Sequence, residues 1–301
     1  MIIDNKIRDD DKYIIFGISG GHGKNIQATA VIRALKKQYP TYKIIVVASW
    51  DAPFFYNPNV FRFYVQGQTQ YFKDDYINED TLIFNHDPYN ETSHILKKTH
   101  LTETWCDLCN IPFDGHKPEL YLNPRELEIA KDKIKPDSRP IMLLQTHGGG
   151  GGQYSRKSWY RDIPIEIAQK IVNHFSGTYR ILHIKNADQP ILQNVEPLTL
   201  PLRELYGVFS ISNKRLLIDS FAQHTAAALG LQSTVLWIGN KPEVFGYPEH
   251  INILPNANIV RQFNKYTYLN DDISGFIQQF PYDTVNVFNV DEIIAAVESQ
   301  K

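Results

Sequence analysis

Short apolar runs recur along the chain, each followed by a polar or glycine-rich turn and then an amphipathic stretch. Tyr13–Ile18 (YIIFGI), Lys43–Ala48 (KIIVVA), Ile141–Gln145, Tyr179–Ile184, Arg215–Ile218 and Thr234–Ile238 carry few polar side chains. That is the pattern of strands buried on both faces of a parallel sheet. Shorter strands are predicted at Val60–Val65, at Thr81–Asn85 and, as an edge, at His250–Leu254. The intervening periodicity predicts helices over Ile26–Gln38, Ser93–Ile111, Arg125–Ile134, Ile163–Phe175, Pro201–Phe209, Thr225–Leu229 and Asp291–Ser299. Tyr39-Pro40 stops the first, and Pro124 occupies the first turn of the third. Lys135–Pro140, with two prolines among polar residues, parts the chain into halves of 1–136 and 137–301. Alternating strands and helices on both sides of it predict an α/β chain of two doubly wound domains.

The 301 residues are enough for each half to bury its own core. Hydrophobic content of 43% and charged content of 21% fit a globular protein. Thirty-one basic against 33 acidic residues, a net charge of −2, argue against broad electrostatic binding to nucleic acid. The N-terminus has no apolar core of signal-peptide length, and no run approaches the roughly 18 apolar residues of a membrane span. Cys106 and Cys109 are the only cysteines. Two thiols do not complete a zinc site, and their apolar neighbours Trp105, Leu108 and Ile111 read as a helix face. Buried structural thiols and a reducing, cytoplasmic location are expected.

In doubly wound sheets ligands bind at the carboxyl ends of the strands, so the turns there carry the candidate chemistry. The first strand ends in Ser19-Gly20-Gly21-His22-Gly23-Lys24-Asn25. A dinucleotide fingerprint would need a third glycine where Ile26 stands, although Asp51 after the next strand could pass for its ribose-binding acid. Two readings stay open: a turn through which a substrate approaches His22 and Lys24, with Gly21, Gly23 and Asn25 beside it, or a purely structural turn. Trp50 begins an aromatic loop able to stack on a sugar or simply to pack, and His86 marks another strand end. Thr146-His147 leads into five glycines, among them Gly148 and Gly149, and then to Arg156 and Lys157. Such a run can wrap an anion with its N–H groups, or serve as a lid or hinge. Asp219-Ser220 stands at the start of a helix, where free backbone N–H groups favour an anion. His224 is either packed in the core or a donor to that anion. The acidic doublets at 74–75 and 271–272 read as solvated loop charges.

The stretch Asp219-Ser220-Phe221-Ala222-Gln223-His224-Thr225-Ala226-Ala227-Ala228-Leu229-Gly230 resembles the D-S-G-P-x-H-x-A-A-A-L-G element of glycosyltransferase family 9, the ADP-heptose:lipopolysaccharide heptosyltransferases and their relatives. Ala28–Pro40, Asn57–Val60, Cys106–Asn123, Arg156–Trp159 and Pro201–Leu205 are similar to further family segments in the same order. The resemblance implies two Rossmann-like domains facing across a cleft, the GT-B type, with the terminal helix 291–299 packing back on the first domain. It also implies an inverting, metal-independent glycosyltransferase with no cofactor, using a nucleotide-diphosphate sugar as co-substrate. Surface-glycan or lipopolysaccharide-type synthesis, a glycan or other hydroxyl acceptor, and peripheral membrane association follow as expectations. Asp219, Ser220 and His224 would hold the donor diphosphate or sugar, and Thr146, Arg156 and Lys157 would serve the phosphates.

Two positions depart from the family pattern. Lys24 stands where the family places the acid proposed as catalytic base, which leaves His22 and Asp51 as candidates and Lys24 as a contact to a phosphate or an anionic acceptor. Phe221-Ala222 replaces Gly-Pro beside the phosphate site. The alternative reading is a catalytically impaired module of the same fold that binds nucleotide sugars.

Overall fold

The computed structural model describes residues 11–68, 71–134, 138–148, 159–260 and 280–301. The first half runs β1 (Tyr13–Ile18), α1 (His22–Gln38), β2 (Lys43–Ala48), β3 (Arg62–Val65), α2 (Phe72–Tyr76), β4 (Leu82–Phe84), α3 (Thr92–Ile95), α4 (Leu101–Leu108) and α5 (Pro124–Ile134). Its four strands form a parallel sheet in the order β3-β2-β1-β4. The second half runs β5 (Ile141–Leu144), α6 (Ile165–Phe175), β6 (Arg180–Ile184), β7 (Glu196–Leu198), α7 (Leu202–Ile211), β8 (Lys214–Ile218), α8 (Phe221–Ala228), β9 (Thr234–Leu236), α9 (Pro242–Phe245), β10 (Ile251–Ile253) and α10 (Val290–Glu298). Its six strands are also parallel, in the order β10-β9-β8-β5-β6-β7. The two doubly wound domains are therefore present, with β10 at the expected edge.

Both faces of the second sheet are covered, which is why its strands lack polar alternation. Met142, Leu144, Leu216 and Ile218 point to a core closed by α6 and α10, while Leu143, Leu217 and Val235 point to one closed by α5, α7 and α8. The terminal helix thus does not return to the first domain. Ile293, Ala296 and Val297 bury its apolar stripe against its own sheet, and the buried Gln300 side chain ties the chain end to Arg215 and Thr234.

The element that crosses is α5. It starts with a capping box, in which Asn123 Oδ1 accepts from Glu126 N and Glu126 Oε2 accepts from Asn123 N, both at 2.9 Å. Although it precedes the linker, Ala130 and Ile134 belong to a core of the second domain. Gly207 on α7 lets the helices close: a Cβ there would lie 2.8 Å from Ala130 Cβ. α5 thus packs on the second domain although it lies before the linker. Arg203 on α7 clamps the junction, pairing with Glu126 and donating to the carbonyls of Ala52 and Tyr121.

Three predicted helices differ in extent. α1 begins four residues early, at His22, because Asn25 Nδ2 donates to the carbonyls of Gly20 and Gly21 and folds the glycine turn directly into the helix. The single helix predicted over 93–111 is broken between α3 and α4, with Lys97 at φ +55° and His100 Nδ1 capping Thr102 N. α8 begins at Phe221 rather than Thr225, since Ser220 is extended and serves as its N-cap residue.

Candidate active site

Each sheet has one topological switch point. In the first, β1 leads outward to β2 and β3 before the chain returns to β4 on the other side of β1. In the second, β5 leads to β6 and β7 before β8 starts the other wing. Ligands of open α/β sheets bind in the crevice at such points. The first crevice lies between the Ser19–Gly23 turn and Asn85–Asp87, the second between Gln145–Gly148 and Asp219-Ser220. Gln145 Nε2 donates to Ser220 Oγ across the second, at 3.3 Å.

At the first crevice, His22 Nε2 and Tyr206 Oη of the second domain share a hydrogen bond at 2.5 Å. The imidazole is ringed by Trp50, Tyr206 and Phe221. Burial lowers its pKa to about 3, so the ring is neutral and weakly basic at neutral pH. Gly23 meets the second domain directly: a Cβ there would lie 2.8 Å from His224 Cδ2 and 3.3 Å from Phe221 Cα. Asn25 is fully buried and spent on holding the turn, whereas Gly21 is exposed with open space beside it. Trp50 is 43% exposed, Asp51 half-buried and His86 exposed, so these three border the crevice. Burial raises the Tyr206 pKa, Arg203 opposes the shift, and Asp51 adds a smaller contribution to it.

Lys24 faces inward rather than into the crevice. Its side chain is 2% exposed, and Nζ lies 2.7 Å from Asp87 Oδ1. It also sits 4.8 Å from the Tyr89 ring centre and 5.5 Å from that of Trp105. Burial lowers the Lys24 pKa, and Asp87 opposes the shift. Lys24, expected as a contact to a phosphate or an anionic acceptor, forms an internal ion pair with Asp87 here.

At the second crevice, the buried Asp219 carboxylate accepts from Asn240 Nδ2 at 2.7 Å. Burial raises its pKa, against Arg161, Asn240 and Lys97. His224, one turn into α8, bonds Tyr247 Oη through Nδ1 at 2.8 Å and packs on Gly23. Burial holds it neutral, with the nearby charges of His100, His250 and Arg161 adding to the shift. Thr146 Oγ1 is buried between His147 Nδ1 at 2.7 Å and His183 Nε2 at 2.8 Å. Gly148 N donates to Asp162 Oδ1, and Arg161 Cδ lies against the Gly148 backbone. Gly149, Arg156 and Lys157 lie outside the described residues.

The structure adds cations that the sequence reading missed. Arg161 stands beside Gly148 and Asp219, its Nε buried without a hydrogen-bond partner and its guanidinium 5.2 Å over the Tyr160 ring. Lys97 comes from the first domain, and its Nζ donates to Gly239 O at 3.3 Å. Burial, then the neighbouring Lys241, lower its pKa to about 8, with Asp219 opposing. Cations from both domains therefore lie within electrostatic reach of Asp219. The lysine doublet inside a supposed helix was the available signal for Lys97; Arg161 had only its place after the glycine run.

A surface cavity of about 380 Å3, lined by Phe54, Tyr56, Asn57 and residues 60–64, opens along the edge strand β3, away from both switch points. Cys106 and Cys109 are buried, and burial pushes both thiols up to about 12, in keeping with a structural role. Among the described residues no helix is long and apolar enough to cross a membrane, and no cluster of three or more His, Cys, Asp or Glu is arranged to hold a metal ion.

No protein-family model and no curated protein sequence matches the chain. Solved structures do. A glycosyltransferase family 9 protein from Veillonella parvula superimposes with a TM-score of 0.68 at 13% identity, covering 96% of each chain. The E. coli ADP-heptose lipopolysaccharide heptosyltransferase II gives 0.60 at 13% identity over 83% of this chain and 92% of that one. TibC of enterotoxigenic E. coli, described as a dodecameric iron-containing heptosyltransferase and solved in complex with ADP-D-beta-D-heptose, gives 0.65 at 13% identity over 96% and 78%. The chain thus has the two-domain GT-B fold of the family 9 glycosyltransferases and heptosyltransferases.

Proposed function

We propose that the protein is an inverting, metal-independent glycosyltransferase that moves a sugar from a nucleotide-diphosphate donor to a hydroxyl acceptor, in surface-glycan or lipopolysaccharide-type synthesis. The observation that carries this reading is the convergence of Arg161 from one domain and Lys97 from the other on the turn that opens α8. A leaving nucleoside diphosphate develops negative charge as the glycosidic bond breaks. Two cations and the free N–H groups of a helix N-terminus supply the electrostatic stabilisation such a step needs. Protein cations in these positions take the charge-neutralising role that a divalent metal fills elsewhere, so activity is expected to survive chelators. Asp219 and Ser220, at the same turn, suit hydroxyl groups of the donor. The acceptor would enter on the first-domain side, past Gly21, Trp50 and His86. The similarity to structures described with ADP-heptose supports a nucleotide sugar as donor.

A second reading, a module that binds nucleotide sugars without turnover, draws on Lys24 standing where the family pattern has an acid. Thermal-shift measurement with ADP, UDP, GDP, CMP and their sugars tests both readings. A ligand of the native state raises the melting temperature once its concentration exceeds Kd. Binding followed by release of nucleoside diphosphate identifies the transferase, and binding without release across a broad acceptor panel identifies the module. No shift with any of these ligands sinks both.

A further inference from the structure

The glycosyl-transfer reading needs a base for the acceptor hydroxyl, and the first turn does not offer a strong one. His22 Nε2 is occupied by Tyr206, and the ring lies within the domain contact. Lys24 occupies the position of the missing acid, and its partner shows where a carboxylate has gone. β4 pairs with β1 at the switch point, and Asp87 follows three residues after its end, beside the turn that carries Lys24. Lys24 Nζ reaches Asp87 Oδ1 at 2.7 Å, and Tyr89 N donates to the same oxygen at 3.0 Å. Oδ2 makes no hydrogen bond among the described residues, and the Asp87 side chain is 35% exposed while that of Lys24 is 2% exposed. One oxygen is therefore anchored and the other is open to the crevice.

The same residues link this carboxylate to the donor site. Tyr89 stacks on His94, meets Phe245 edge-on and lies within electrostatic reach of Asp87, Asp219 and Arg161. A buried ammonium is strongly disfavoured without its counterion, so the ion pair fixes the Asp87 side chain in place.

We propose that Asp87 is the general base of the transfer and Lys24 its positioning residue. This rests on the glycosyl-transfer reading above. In the step, the acceptor oxygen forms a bond to the anomeric carbon as its proton passes to Asp87 Oδ2. The bond from that carbon to the diphosphate oxygen breaks, and its electron pair leaves with the nucleoside diphosphate beside Arg161 and Lys97. Asp87 then returns the proton to water through its exposed edge.

The acceptor-independent assay is hydrolysis of ADP-heptose and of ADP-, UDP- and GDP-hexoses, with water as nucleophile and released nucleoside diphosphate as readout. Asp87→Asn, which keeps an oxygen for Lys24, should lower kcat about 100-fold or more, leave nucleoside diphosphate affinity within about twofold, and remove the acid limb of the pH–rate profile. Lys24→Met should lower kcat about tenfold or more while nucleoside diphosphate affinity stays within about twofold, a split that a merely structural lysine would not produce. Asp87→Asn within threefold of the wild-type rate, or loss of the limb in Asp51→Asn instead, overturns the assignment while the transferase reading stands. Absence of release by the wild-type chain from every donor, with water and with a broad acceptor panel alike, overturns the transferase reading and the base with it. Circular dichroism and melting of each variant guard against loss of fold, and a misfolded Lys24→Met leaves the decision with Asp87→Asn.

Discussion

The imidazole of His22, at the start of α1, and the hydroxyl of Tyr206, on α7, share a hydrogen bond across 184 residues of sequence. This contact seats the glycine turn of the first domain on the second. Tyr206 is fully buried, and His22 Nδ1 is buried without a partner. Tyr206→Phe keeps the ring packing and removes the one bond, leaving a ring nitrogen unsatisfied. A loss of about 1–3 kcal/mol is expected, read by urea denaturation at pH 7. A variant as stable as wild type would show that the bond adds nothing to the domain contact.

Gly23 sets how closely the helices approach. A methyl group there meets the His224 ring at 2.8 Å and the backbone of Phe221 at 3.3 Å. The ring is held by Tyr247, and the backbone belongs to the first turn of α8, so neither gives way easily. Gly23→Ala should force α1 and α8 apart at a cost of about 1–3 kcal/mol, with faster hydrogen exchange on both sides of the contact. Unchanged exchange there would mean that the side chains accommodate the methyl locally.

The two doubly wound parallel sheets were legible from the run of doubly buried strands, because a buried strand, a polar break and a helix leave a local imprint. What escaped depends on docking between halves. The α5 sequence is an ordinary amphipathic helix, and nothing in it says that Ala130 will bury against Gly207. His22 reads as a near-neutral base until Tyr206, Phe221 and Trp50 surround it. Lys24 reads as a phosphate contact until Asp87, 63 residues away, pairs with it. Arg161 and Lys97 gain meaning only when β5, β8 and the α3–α4 break are brought to one place.

Histidines give the interface a pH dependence. Burial lowers His94 to about 4 and His100 to about 3. Asp87 opposes and Lys24 reinforces the shift of His94, while His116 reinforces that of His100. His94 Nδ1 is buried without a hydrogen-bond partner among the described residues, and at His100 the Gly246 and Phe245 backbone opposes the shift without reversing it. The unfolded chain takes up these protons below about pH 6.5, and the folded chain does so only near 4 and 3. Stability is therefore full above about pH 6.5 and falls as pH drops toward 4, by up to about 1.4 kcal/mol per pH unit for each group. Urea midpoints at pH 7, 6 and 5 should decline, and His100→Asn should flatten the decline. A constant midpoint from pH 7 to 5 would exclude the effect.

On the glycosyl-transfer reading, Lys97 and Arg161 make the donor site a property of both domains. Removing either charge, by Lys97→Met or Arg161→Gln, should weaken nucleoside diphosphate binding about tenfold, equivalent to about 1.4 kcal/mol. Lys97 adds a signature that Arg161 lacks. With its pKa lowered to about 8, it is largely protonated at pH 7 and loses its charge as pH rises through 8. Bound diphosphate favours the charged form, so affinity should fall from pH 7 to 9. Lys97→Arg, whose charge persists throughout, should bind equally at both ends of that range. Isothermal titration of wild type, Lys97→Arg and Lys97→Met with the tightest diphosphate from the thermal screen reads all three expectations. A wild-type affinity that does not change between pH 7 and 9 would place Lys97 outside the diphosphate site and leave Arg161 as the cation that the Asp219 turn provides.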